Sequence, residues 1–241
     1  MARKSAQSAR IRPLEALRAI RALLRDPDDT ARVFDIIDAL SGRSVERSFR
    51  RFRATPTGAR LLRERPDLLG VLSDRERLLA MPAGSLGRTY GEFMSREHLS
   101  ADGLVEASQR VAAVDSGIPE ERLWFGERLR DMHDLWHVAT GYDRDMVGEA
   151  ALLAFSYAQT RNRGIGFIVL VAYLKAGSRE APWVRPLIRD AYRRGKAAAW
   201  LPALDWEGLL ERPLEEVRRD LRLGAPPRYQ EVRSPGAPVL A

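Results

Sequence analysis

Two of the chain's three histidines, His133 and His137, are four residues apart. On a helix, residues at this spacing lie one above the other on the same face, so both imidazoles can reach one point. Asp134 lies at the edge of that face. Gly141 then breaks the helical pattern, and a second helix after the break would bring Glu149 back towards the histidines. The four side chains, His133, Asp134, His137 and Glu149, predict a site for one divalent metal ion, because imidazole nitrogens and carboxylate oxygens are common metal ligands.

The types of ligand present restrict the kind of metal site. The sequence contains no cysteine, which excludes disulfides, thiolate zinc sites and iron–sulfur clusters. Nitrogen and oxygen ligands suit zinc, manganese, iron or cobalt, and the spacing does not choose among them. A less specific interpretation stays open, in which the two histidines are core or interface residues and Asp134 only orients an imidazole.

The elements that must position these residues are helices. Apolar residues recur at helical spacing along nearly the whole chain, separated by proline, glycine and aspartate, and no strand-like alternation lasts more than a few residues. Asp143 or Asp145 is expected to cap the helix that carries Glu149, and Asn162 and Gly164 are expected to end it. The predicted helices cover residues 13–24, 30–40, 45–52, 57–63, 74–80, 86–94, 119–137, 146–160, 166–175, 182–199 and 213–223.

This pattern predicts an all-α fold, a single-domain helical bundle of roughly eight or more helices. The domain is expected to span residues 13–223, between a basic extension at 1–12 and a proline-rich, extended tail at 224–241. Residues 166–175 are apolar all round, which predicts a core helix or a membrane-facing one. The longest apolar run, 165–174, is shorter than the roughly 20 residues that a spanning helix needs, and no signal peptide is recognisable. A soluble or peripheral protein is therefore expected.

The net charge of +7 does not indicate a nucleic-acid-binding protein. Only three of the 40 basic residues are lysine, and acidic residues are interleaved with the arginines, which is typical of solvated faces. We therefore expect no nucleic-acid partner. Contact with an anionic membrane surface is compatible with the charge.

The sequence from His133 to His137 (HDLWH), followed by eleven residues and Glu149, resembles the signature of the coenzyme Q biosynthesis protein 4 family. The resemblance extends from about residue 13 to 223. It is carried further by residues 82–90 (PAGSLGRTY) with Phe93 and Met94, by 140–142 (TGY), by 205–210 (DWEGLL) and by 213–218 (PLEEVR).

The resemblance implies a divalent metal, zinc by preference, held by the four matching positions His133, Asp134, His137 and Glu149. It implies oxidative decarboxylation at ring carbon 1 of a polyprenylated benzoate, in which a hydroxyl replaces the carboxyl group. The partners it implies are that lipid, other ubiquinone biosynthesis proteins, the membrane surface and further copies of the chain in a homo-oligomer. The expected location is the cytoplasmic membrane surface in a bacterium or the mitochondrial inner membrane in a eukaryote.

The prenyl chain of such a substrate would need an apolar channel near the metal. By their spacing on the helix of Glu149, four residues are expected to contribute to it, although plain core packing is the alternative. They are Leu152, Leu153, Ser156 and Tyr157.

Two other functions stay open. One is a non-catalytic scaffold that binds prenyl lipid and partner enzymes, with a structural metal. The other is a metal-dependent phosphohydrolase of the paired His–Asp type. It would use His98 as an upstream ligand and Asp190 or Asp205 as a downstream one, and would leave Glu149 without a role.

Overall fold

The computed structural model describes residues 11–26, 29–97, 118–176 and 181–233. Within these residues there are thirteen α-helices and no strand, which confirms the predicted all-α fold. In chain order the helices are α1 (Pro13–Leu23), α2 (Thr30–Ser41), α3 (Ser44–Ala54), α4 (Pro56–Glu64), α5 (Leu68–Ser73), α6 (Arg75–Ala80), α7 (Leu86–Arg96), α8 (Glu120–Asp131), α9 (His133–Thr140), α10 (Met146–Thr160), α11 (Arg163–Lys175), α12 (Val184–Ala197) and α13 (Leu214–Asp220).

Helix α10 is the central element of the main hydrophobic core. Its Ala151, Leu152 and Phe155 are fully buried. Helix α12 approaches it at Gly195, where a Cβ would lie 2.6 Å from the Phe155 carbonyl oxygen, so only glycine permits this close packing. Gln159 then joins α10 to α12 and to the chain that follows it, because its amide donates to the Gly195 carbonyl at 2.6 Å and accepts from Leu201 N at 2.9 Å. A helix anchored on several sides is a rigid base for a functional side chain.

Helices α1, α2 and α11 form a second, smaller cluster. Ile20, Ile36 and Ile168 pack together there, and Gly164 lies against the backbone of α2. Of α11, however, only Gly164 and Ile168 are buried, and Leu170 and Leu174 are exposed by 53% and 62%. Of the two alternatives expected for this helix, a core helix and a membrane-facing one, the core helix is excluded, since α11 presents an apolar face outward. No helix among the described residues is long and apolar enough to cross a membrane.

The helix predicted over residues 119–137 is in fact two helices. Helix α8 ends at Asp131, Met132 has ψ of −1°, and α9 begins at His133. The two helices bury different surfaces: α8 is anchored by Arg128, which pairs with Glu207, whereas seven of the eight residues of α9 are buried. Periodicity does not detect this break, because apolar residues continue on both sides of it.

Smaller differences concern the start of α11 and one short helix. Asn162 does not end α10 but begins α11, since its side-chain oxygen accepts from Gly164 N at 2.8 Å and from Ile165 N at 3.3 Å. Helix α11 therefore starts at Arg163 rather than at residue 166. The six-residue helix α5 is absent from the helices predicted from the sequence.

Candidate metal centre

Helices α9 and α10 bring three potential metal ligands together. One ligand atom each from His133, His137 and Glu149 lies within 4.8 Å of the other two. Nε2 of His137 is 3.4 Å from Oε1 of Glu149, and Nε2 of His133 is 3.9 Å from Oε2. Both histidines thus point the same ring nitrogen at one carboxylate, as expected from their spacing and from the turn at Gly141.

The His137 ring is held in the orientation that a metal ligand needs. Its Nδ1 lies 2.8 Å from the backbone carbonyl oxygen of Tyr142. Because a carbonyl can only accept, Nδ1 carries the hydrogen and the lone pair of neutral His137 is on Nε2. That Nε2 is buried and has no hydrogen-bond partner among the described residues. A buried nitrogen without a partner, facing a carboxylate, fits a divalent ion.

Asp134 lies at the site but contacts the other side of the His133 ring. Its Oδ1 is 3.3 Å from Nδ1 of His133, and the residue is 5% exposed. This contact turns Nε2 of His133 towards Glu149. The geometry supports the alternative that Asp134 orients an imidazole, and a direct ligand role for Asp134 stays a prediction.

The charged groups of the site stabilise one another's ionised forms. Burial alone would raise the pKa of Glu149, but His137, His133 and Arg144 outweigh it and hold the pKa well below its usual range. Burial would lower the pKa of His137, and Glu149 with Asp134 raises it instead. Asp134 is likewise buried, yet its contact with His133 lowers its pKa. Glu149 and Asp134 are therefore ionised at neutral pH, which is the state that binds cations.

The turn between α9 and α10 sets the distance between the ligands. Gly141 ends α9 with φ of 76°, a left-handed conformation that glycine adopts without strain. Asp145 caps α10, since its Oδ1 accepts from Val147 N at 3.0 Å. Gly148, next to Glu149, lies against the Asp143 carbonyl oxygen, which any Cβ would overlap. Glycine at 148 thus lets the first turn of α10 lie directly on this turn.

A segment far along the chain also holds this turn. We call residues 224–233, which have no regular secondary structure, the C-terminal strap. The Tyr229 hydroxyl accepts from Asp143 N at 2.9 Å and donates to Oδ2 of Asp145 at 2.8 Å. Val232 N donates to Oδ1 of Asp145 at 3.0 Å, and Val232 O accepts from Met146 N at 2.8 Å. The sequence predicts an extended, proline-rich tail here, and nothing in its composition points to residue 145.

Arg144 was also missed, although a charged residue between a helix-ending glycine and a capping aspartate is a detectable signal. Its Nε is 3.5 Å from Oε1 of Glu149. The same Nε is buried and has no hydrogen-bond partner among the described residues. The site therefore contains a guanidinium beside the candidate metal ligands.

The residues expected to contact a substrate chain are spread over different surroundings. Leu152 lies in the main core, and Leu153 packs against the cluster of α1, α2 and α11. Ser156 is buried, and the Tyr157 ring stacks on Tyr192 with centroids 6.0 Å apart. Their role in substrate binding stays a prediction.

The ligands required by the phosphohydrolase alternative do not join the three-residue group. Asp205 pairs with Arg60 at 2.5 Å, and Asp190 is exposed. Neither belongs to a potential metal-binding group among the described residues. His98 lies outside the described residues.

Comparison with known proteins gives consistent matches. Residues 7–227 match the model of the family described as Coenzyme Q (ubiquinone) biosynthesis protein Coq4. A ubiquinone biosynthesis protein coq4, mitochondrial, of Aspergillus clavatus is 33% identical over 185 residues, covering 74% of this chain and 60% of the relative. The corresponding protein of Yarrowia lipolytica is 33% identical over 186 residues, covering 74% and 66%. The chain thus spans about 60% of the length of the curated relatives it matches.

One solved structure supports the fold. A crystal structure of a protein from Nostoc punctiforme aligns with a TM-score of 0.62 and 22% identity, covering 89% of this chain and all of the other. At this identity the likeness shows a shared helical fold and nothing about activity.

Proposed function

Because this chain belongs to the Coenzyme Q (ubiquinone) biosynthesis protein Coq4 family, we propose that it carries out a metal-dependent oxidative decarboxylation in ubiquinone biosynthesis. The substrate is a polyprenylated benzoate, and a hydroxyl replaces the carboxyl group at ring carbon 1. The observation that carries the proposal is the convergence of His133, His137 and Glu149 within 4.8 Å, at the positions of the HDLWH motif and its following glutamate.

The proposed ion is divalent, with zinc, manganese, iron or cobalt as candidates. Nε2 of His137, Nε2 of His133 and the Glu149 carboxylate would hold it, and Asp134 would act as a fourth ligand or through His133. Catalytic metal sites keep a coordination position open, and three protein ligands leave room for a substrate oxygen. When bound, the ion would polarise that oxygen and stabilise negative charge on it.

The residues of the chain would contribute orientation and exclusion of water. The Tyr142 carbonyl fixes the tautomer of His137, and Asp134 does the same for His133. Phe93 stacks on the His137 ring with centroids 5.9 Å apart and covers it with an apolar surface. A partly buried, oriented ligand set favours catalysis because little reorganisation is needed when charge develops on the substrate.

The reaction balances with dioxygen and an external two-electron reductant. The bond between ring carbon 1 and the carboxyl carbon breaks, and the carboxyl group leaves as carbon dioxide. One oxygen atom of dioxygen enters the new hydroxyl, and the other leaves as water with the two electrons and two protons that the reductant supplies.

Complementation of a ubiquinone-deficient strain that lacks any other enzyme for the step tests this function. Wild type should restore ubiquinone, whereas Glu149→Gln, which keeps the shape but removes the charge, should leave the ring-carboxylate precursor to accumulate in lipid extracts. The matched control is Glu92→Gln, an exposed residue on α7, which should complement fully. If Glu149→Gln also restores ubiquinone, the site is not catalytic and a scaffold role for the protein is favoured.

A further inference from the structure

We propose that Arg144 recognises the carboxylate of the substrate beside the ion held by His133, His137 and Glu149. The inference rests on the function proposed above and names the residue that distinguishes the substrate from its decarboxylated product.

Arg144 is directed at the metal ligands by its place in the turn. It lies one residue before Asp145, the cap of α10, so its side chain starts next to the first turn of the helix that carries Glu149. Its Nε is 3.5 Å from the same Glu149 oxygen that lies 3.4 Å from Nε2 of His137. A guanidinium and two imidazoles thus converge on one carboxylate.

The guanidinium of Arg144 has hydrogen-bonding capacity that no residue uses. Its Nε is buried without a partner, and among the described residues the side chain makes only the long ion pair with Glu149. Two other arginines near α9 are different. Arg194 donates to the carbonyls of Thr140 and Leu223, and Arg218 donates to those of Val138 and Ala139. Arg194 Nη1 is also buried without a partner, but both of these arginines brace the fold through backbone carbonyls, whereas Arg144 donates to none among the described residues.

The charge of the site favours an anion once a divalent ion is present. Glu149 and Asp134 balance the two charges of the ion, and the cation of Arg144 remains. The Arg144 side chain is 28% exposed, so a ligand from solvent can reach it. A guanidinium matches the planar pair of oxygens of a carboxylate, which it binds with two parallel hydrogen bonds. An aromatic carboxylate could therefore place its carboxyl group between the ion and Arg144.

This role of Arg144 predicts an effect on which ligand is bound more than an effect on the rate of the chemical step. A guanidinium that holds the carboxylate strengthens substrate binding, but the contact disappears when the carboxyl group leaves as carbon dioxide. The phenolic product then has no partner for Arg144. Loss of Arg144 should therefore raise KM for the substrate more than it lowers kcat.

Ligand binding to the full-length, cobalt-loaded protein tests the proposal directly. The probes are 4-hydroxybenzoate, its geranylated derivative and phenol, which lacks the carboxylate, and the readouts are calorimetry and the visible spectrum of the cobalt ion. Arg144→Gln should weaken binding of both carboxylates about tenfold to hundredfold, as expected for a lost charged hydrogen bond, and change phenol binding less than about twofold. Arg144→Lys should be intermediate. Arg50→Gln, an exposed residue of α3, is the control and should bind like wild type.

Metal analysis and a thermal melt of each variant accompany the titrations. Equal carboxylate affinity in wild type and Arg144→Gln, both carrying cobalt, would overturn the proposal. Loss of cobalt from Arg144→Gln would also overturn it, because Arg144 would then act by holding Glu149 in place. Failure of the wild type to bind either carboxylate would overturn it as well. The two proposals can fail separately. If Glu149→Gln restores ubiquinone, the proposed reaction fails, but carboxylate binding that depends on Arg144 can still be observed. If carboxylate binding does not depend on Arg144 while Glu149→Gln fails to restore ubiquinone, the reaction stands and the role of Arg144 does not.

Discussion

The Tyr229 hydroxyl donates a hydrogen bond of 2.8 Å to Oδ2 of Asp145, the residue that caps the helix carrying Glu149. Burial and the Asp145 carboxylate raise the pKa of Tyr229, so the phenol stays neutral and remains a donor. The C-terminal strap therefore helps to fix where α10 begins, and with it the distance of Glu149 from the histidines.

Removing this hydroxyl should weaken both the fold and the site. In Tyr229→Phe we expect the free energy of unfolding to fall by about 1–2 kcal/mol, because a charged acceptor loses a partly buried donor. Cobalt affinity should fall several-fold as α10 loosens. Denaturant unfolding and cobalt titration measure the two effects. Tyr173→Phe is the control, since that hydroxyl has no hydrogen bond among the described residues, and equal losses in both variants would contradict a role for the strap.

The metal content of single variants tests the ligand set. His133→Ala, His137→Ala and Glu149→Ala should each lose the ion, and a chelator should lower the Tm of the wild type, because the ion stabilises only the folded state. Unchanged metal content in all three variants would refute the assignment.

Asp134→Asn separates the two roles that remain for Asp134. If the carboxylate acts through Nδ1 of His133, the variant should keep the ion with an affinity about 10–100-fold weaker. If Asp134 is itself a ligand, the ion should be lost, as in His137→Ala. Cobalt titration with the visible spectrum of the bound ion distinguishes these results, and Asp190→Asn on exposed surface is the control.

The ion pair of the C-terminal strap should make stability depend on pH. Glu97 is 4% exposed; burial would raise its pKa, but Arg233 and Arg96 lower it below the ordinary value of 4.5. The ion pair therefore contributes its full stabilisation of the fold above about pH 4.5. This contribution is lost as the pH falls through the lower pKa that Glu97 has in the folded state. Denaturant unfolding should show the advantage of wild type over Glu97→Gln shrinking below that pH. A constant difference down to pH 3 would contradict this, and Glu64→Gln on the exposed surface of α4 is the control.

The glycine next to Glu149 should not tolerate even one methyl group. In Gly148→Ala the new Cβ would overlap the Asp143 carbonyl oxygen and lie 2.5 Å from the Tyr229 hydroxyl. We expect a loss of about 2–4 kcal/mol and weaker metal binding, as for overpacking of a rigid site. Gly126→Ala in α8 is the matched control, because open space surrounds that position and the change should stabilise the helix by about 0.5–1 kcal/mol. A tolerated alanine at 148 would show that the turn can move.

The apolar outer face of α11 should bind membranes without crossing them. Leu170 and Leu174 are four residues apart and exposed, so both can enter the same lipid surface. Leu170→Glu with Leu174→Glu should abolish co-sedimentation with anionic vesicles, whereas Leu123→Glu on α8 should not. Carbonate should release the wild type, and retention through that treatment would contradict peripheral binding.

Local patterns predicted the centre of the site. The spacing of His133 and His137 requires only a helix, and Gly141 with Asp145 signals the turn that returns Glu149 to them. The other features of the site depend on contacts between segments that are distant in sequence. The break between α8 and α9 at Met132, for example, reflects which faces of the two helices are buried in the fold. The close approach at Gly148 and the contact of Tyr229 with residue 145 involve chain segments that no local pattern connects.

Asp145 and Tyr229 are 84 residues apart in the sequence, which has a consequence for the synthesis of the protein chain itself. A ribosome adds about 5–20 residues per second, so Tyr229 is made about 4–17 seconds after the cap that it holds. The two histidines and Glu149 precede it as well. For those seconds the nascent chain carries its candidate metal ligands without the contact of Tyr229 that holds the start of α10, so the distance of Glu149 from the histidines is fixed only after the end of the chain has been made.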